Sequence, residues 1–64
     1  MGLYFVTIPN SGSQQPIYAD KAVIEDGALV FYDVEETVDE GLYSVKSTLK
    51  TAFVSDHWRT VRLE

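Results

Sequence analysis

The 64-residue chain has no cysteine and a single histidine, His57. That removes disulfide staples and any zinc site built from Cys and His, the two devices that most often rescue small domains. A well-packed core or self-association into a homodimer is what remains. A chain of this size buries only about 60% of its unfolded surface. Its net stability is then about 3–9 kcal/mol. Absence of cysteine fits a cytoplasmic, reducing location. Basic residues are also scarce, five against ten acids, giving a net charge of −5. No long hydrophobic run is present. The apolar stretch Leu3–Ile8 has no basic residue before it and is too short for a signal peptide or a membrane span.

Catalytic signatures are missing as well. Ser55, Asp56 and His57 are the residue types of a nucleophilic triad, but consecutive side chains diverge and cannot form its hydrogen-bonded line. No glycine-rich loop leads from a strand into a helix to cradle phosphate. Glu35-Glu-Thr-Val-Asp-Glu-Gly41 is the most acidic segment, yet it lacks the ligand spacing of a calcium loop and reads as a solvated acidic loop. Asp20 and Asp33 are a conceivable carboxylate pair, but the chain has little material for a substrate cleft. The expectation is a non-enzyme without a cofactor or metal.

What is present is organised around Ala22–Tyr32. Two apolar, β-branched and aromatic runs flank Asp26-Gly27, a dipeptide suited to the positive φ angles of a two-residue hairpin turn. That turn pairs Ile24 with Leu29, Val23 with Val30 and Ala22 with Phe31. It gathers Ile24, Leu29, Ala22 and Phe31 on one face and sets Asp20 opposite Asp33, unfavourable unless a cation such as Lys21 lies close. The other face, with Val23, Val30, Ala19, Val34, Tyr32 and Lys21, is also mostly apolar. A ribbon apolar on both sides has to be covered on both, inside a closed sheet or against another chain.

Leu3–Ile8 reads as the first strand, followed by a loop over Asn10–Pro16 and a second strand over Ile17–Ile24. Leu42–Val54 fits two periods. Leu42, Val45, Leu49 and Phe53 have helical spacing, whereas Tyr43, Val45, Leu49 and Phe53 lie on one side of a strand. The Ser, Thr and Val content favours a strand. Ser55–Trp58 then forms a single turn, and Arg59–Leu63 is a last strand with Val61 and Leu63 on one face. Trp58, Phe31, Phe53 and Phe5 are the candidate core rings.

The expected fold is a single all-β domain over residues 1–64, a five-stranded antiparallel barrel or strongly bent sheet. The alternative is α+β, with residues 42–53 helical against a three- or four-stranded sheet. The element order, with one turn before the last strand, resembles the small SH3-like barrel. The pattern Asp26-Gly27-x-Leu29-x-Phe31-Tyr32 followed by Phe53-x4-Trp58-x2-Val61 is similar to small uncharacterised bacterial and phage β-rich proteins, a resemblance that implies no function.

Charge is uneven along the chain. Residues 1–40 hold eight acids against Lys21 alone, and residues 41–64 hold four bases against two acids. Such an acidic front repels nucleic acid. The leading expectation is therefore a protein-interaction module, its partner not named by the residues. The candidate contacts are Tyr32, Glu35, Glu36, Asp39, Glu40 and Tyr43. A weaker alternative is single-stranded nucleic-acid binding through Lys46, Lys50, Arg59 and Arg62 beside stacking rings. A third is an acidic decoy for a nucleic-acid-binding protein.

Overall fold

The computed structural model describes residues 2–64, Met1 lying outside them. Six strands follow one another: β1 Gly2–Thr7, β2 Gln14–Ala19, β3 Lys21–Glu25, β4 Ala28–Asp39, β5 Leu42–Phe53 and β6 Thr60–Leu63. They form two three-stranded antiparallel sheets, in the orders β2-β1-β6 and β3-β4-β5. No helix is present among the described residues, so the helical alternative for 42–53 is overturned. Closure of the sheets into one five-stranded barrel is not observed, since no ladder joins β5 to β6.

Six strands replace the expected five because the segment read as one strand over Ile17–Ile24 changes sheet at Asp20. Before that residue the chain pairs with β1, with Ala19 opposite Gly2. After it the chain pairs with β4, with Lys21 opposite Tyr32. The switch breaks the two-residue alternation of side chains, and Ala19 ends fully buried in the core instead of sharing the outer face of Val23. At the bend, the Asp20 N–H donates to the Tyr32 carbonyl at 3.0 Å. The first loop is shorter than Asn10–Pro16, because Gln14, Gln15 and Pro16 join β2. Pro16 is tolerated there since β2 is an edge strand and one flank needs no donor.

The central hairpin has the expected register: Ile24 with Leu29, Val23 with Val30, Ala22 with Phe31. Asp26 and Gly27 both adopt positive φ, 51° and 82°, the twist of a type I′ turn that matches the right-handed twist of its strands. The two sheets meet through Val6 and Ala19 on one side and Leu29 and Phe31 on the other, all buried. Tyr4 meets the Phe31 ring edge-on at 5.4 Å, and Phe53 does so at 6.1 Å. Trp58 packs on the margin of this core. Phe5 does not enter it. Neighbour to the buried Val6, it projects to the opposite face, where the Arg62 guanidinium lies 5.0 Å above its ring.

The packed layer where the two sheets meet accounts for only part of the molecule. The Cα radius of gyration is 14.1 Å, against about 10.7 Å for a compact chain of this length. The excess comes from β4 and β5, twelve residues each, which continue past the end of β3 as a two-stranded arm over residues 33–50.

Candidate functional site: a projecting two-stranded arm

The arm is built by a second tight hairpin. Glu40 and Gly41 take positive φ, 51° and 80°, and join Asp39 to Leu42 directly. Residues 35–41, expected to be a solvated loop, are therefore strand closed by a two-residue turn, with only Glu40 and Gly41 outside the ladder. Because paired residues of an antiparallel ladder share a face, the register sorts every side chain. One face carries Tyr32 with Leu49, Val34 with Ser47, Glu36 with Val45 and Val38 with Tyr43. The other carries Asp33 with Thr48, Glu35 with Lys46, Thr37 with Ser44 and Asp39 with Leu42.

These faces differ in chemistry. The polar face is laced across the strands, with the Thr37 and Ser44 hydroxyls hydrogen-bonded at 2.5 Å and Glu35 opposite Lys46. The apolar face has only Glu36 and Ser47 to interrupt it, and beyond Tyr32 and Val34, which are half-buried, its apolar side chains are exposed. Val38 is 72% exposed, Tyr43 62%, Leu49 60% and Val45 54%. It continues onto the outer face of the β3-β4-β5 sheet, where Val23 and Ala52 are exposed on either side of a buried Val30. An isolated two-stranded ribbon is marginal in water, and soluble monomers seldom expose a continuous apolar surface of this kind.

A bulge makes this division. Phe31 pairs with Thr51 but Tyr32 pairs with Leu49, so Lys50 is an extra residue in β5. Below it Phe53 points into the core, and above it Leu49, Val45 and Tyr43 point to the opposite side. The sequence reading placed these four residues on one side of a strand. The extra residue separates them.

Lys50 also closes the junction between arm and body. Its ammonium lies 3.7 Å from Asp33 Oδ2. The carboxylate of Asp20 accepts the Val34 N–H at 2.6 Å. That hydrogen bond holds the Asp20 carboxyl below its ordinary range. Partial burial opposes the shift and the Lys50 charge adds to it. The cation expected to relieve Asp20 and Asp33 is thus Lys50, and Lys21 is placed elsewhere, its ammonium 5.3 Å over the Tyr32 ring. Tyr32 donates its hydroxyl to Glu25 at 3.0 Å, which, with partial desolvation, raises its pKa.

Of the six candidate contact residues, Tyr32, Glu36 and Tyr43 share the apolar face. Glu35 and Asp39 lie on the polar face, and Glu40 is in the tip turn. The candidate bases fall in two groups. Lys46 and Lys50 are on β5, Arg62 lies on the outer side of the other sheet against Phe5, and Arg59 precedes β6 with its N–H donating to Thr7. Val38, Val45 and Leu49, which are not among the candidate contacts, are exposed on the same face. Their signal was alternation, Val34-x-Glu36-x-Val38 and Tyr43-x-Val45-x-x-x-Leu49, masked by acids that suggested a loop.

Among the described residues no ligand-sized pocket is found, and no three or more His, Asp or Glu side chains are grouped to hold a metal. No helix is long and apolar enough to cross a membrane. Compared with protein families, curated proteins and solved structures, the chain matches none.

Proposed function

We propose that this chain is a non-enzymatic, cytoplasmic protein-interaction domain, with the β4–β5 arm as its binding element. One observation carries the reading: a ribbon continuous with the core sheet presents the exposed apolar side chains of Val38, Tyr43, Val45 and Leu49 to solvent, with a half-buried Tyr32 at its base. Tyrosines in such a setting offer large, stiff contact area at little entropic cost. Three features of the body below the arm are in keeping with an SH3-like architecture. A single residue separates β2 from β3, the last strand pairs with the first, and one turn precedes it.

Photo-cross-linking in cells tests the reading. Benzoylphenylalanine at position 43 is expected to give protein adducts that the same group at Ser11, in the first loop, does not. Equal yields at the two positions, or no adduct at position 43, would refute a binding role for the arm.

A further inference from the structure

We infer that the apolar face of the arm is covered by a second copy of this chain, in a two-fold dimer whose arms run antiparallel, face to face. This rests on the arm being the binding element and adds the identity of its occupant.

Three observations select that occupant and geometry. The first is charge. The face holds three charged side chains, Lys21, Glu25 and Glu36, and Glu25 is already engaged by the Tyr32 hydroxyl. Glu36 is isolated among Val34, Val38, Val45 and Tyr43. Lys21 flanks Tyr32, four residues nearer the body. A two-fold axis crossing the arm at Val34 places Glu36 of each copy over the Tyr32 and Lys21 of the other. One operation satisfies both charges, twice.

The second is apolar fit. The same axis sets Val38, at the arm's end, at the level of the partner's Val30, which is itself buried, so that it meets the exposed Val23 and Ala52 on either side. Tyr43 follows onto that patch. From position 30 to position 38 the contact runs about 27 Å at 3.4 Å per residue. The covered face would extend from the body of one copy to the body of the other. A parallel arrangement loses this, because it stacks arm end on arm end and leaves Val23 and Ala52 exposed.

The third concerns the competing edge-to-edge mode. β5 is an edge strand, but its flank carries Lys46 and Lys50 and the Lys50 bulge. Lysines and bulges are what natural proteins use to blunt an edge against strand addition. The β5 edge is guarded in this way, and the β4 edge that is free beyond β3 carries only acids among its charged residues, which repel a second acidic copy.

Sedimentation equilibrium of the intact chain over a concentration series tests this, with near-ultraviolet circular dichroism of Trp58 reporting the fold. The wild type is expected to be a dimer. Val45→Asp is expected to give a folded monomer. Glu36→Lys and Lys21→Glu alone should each weaken dimerisation by at least about tenfold, and the double variant should recover most of the loss. A monomer at every concentration, or a dimer indifferent to Val45→Asp, overturns the inference. If Val45→Asp fails to fold, the charge pair decides, and no recovery in the double variant overturns the antiparallel geometry. An adduct at position 43 with the mass of a different protein, and none at twice the chain mass, overturns the second copy while leaving the arm as a binding element. No adduct at all refutes both.

Discussion

The indole N–H of Trp58 donates to the Gly27 carbonyl at 2.9 Å, tying the turn before the last strand to the tip of a hairpin 31 residues earlier. Both ends of this link are constrained. Gly27 has φ of +82°, and a Cβ there would stand 3.2 Å from the Cβ of Ser55, on the turn that carries Trp58. Trp58→Phe keeps most of the apolar contact and removes the donor, and is expected to cost about 1 kcal/mol. Gly27→Ala is expected to cost about 1–3 kcal/mol, since it adds left-handed strain and crowds the same turn. Urea denaturation of the two variants checks both values. A double variant costing clearly less than the sum would show that the two positions act through one contact.

Phe31 is the pivot of the small core, fully buried with Tyr4 and Phe53 edge-on to it. Phe31→Ala is expected to lose about 3–5 kcal/mol. Against a total of about 3–9 kcal/mol, that leaves the chain largely unfolded or close to it. Phe31→Leu retains much of the volume and should remain folded with a lowered midpoint. Thermal melts followed by circular dichroism separate the two, and a folded, unshifted Phe31→Ala would mean that the core lies elsewhere.

How far the sequence foretold this depends on which physical effect was local. The Asp26-Gly27 turn and its register were legible because a dipeptide that accepts two positive φ angles fixes the pairing on both sides of it. The strand character of 42–53 was legible from its β-branched content. Three features were not. Asp20 redirects the chain between sheets by a backbone hydrogen bond to Tyr32, and nothing in its neighbours distinguishes it from a strand residue. Lys50 bulges because the ladder shifts register at Phe31 and Tyr32, which only the partner strand can show. The acids of 35–40 lowered the apparent strand propensity of a segment whose alternation was correct, and the apolar face was hidden with it.

Acid should loosen the junction of arm and body. In the folded chain the Val34 N–H and the Lys50 charge favour ionised Asp20, so its pKa is lowered from the ordinary 3.8. The sign follows from linkage: the contribution is complete above the unfolded value and disappears as pH falls through the lowered one. Asp20→Asn is therefore expected to reduce stability near neutrality and to flatten the acid limb of the stability curve. The difference between the two curves isolates this carboxylate from the other acids. Parallel curves down to strongly acid pH would show that the Asp20 charge contributes nothing to the bend.

The arm should be separable from the fold. Every residue from Glu36 to Val45 is exposed, and none belongs to the cluster of Val6, Ala19, Leu29 and Phe31. Glu35 faces Lys46 directly across the ladder. Replacing 36–45 by Asn-Gly thus leaves a residue pair positioned to flank a two-residue turn, with unchanged register below it. Lys50, Asp33 and the bulge are retained, so the junction is intact. The shortened chain is expected to melt within about 5 °C of the full one, a change of at most about 1 kcal/mol for a domain of this size. It should also sediment as a monomer where the full chain dimerises. If it fails to fold, the ribbon supports the core; if it folds and still dimerises, the contact lies on the body, and the outer face at Phe5, Tyr18 and Arg62 becomes the surface to mutate.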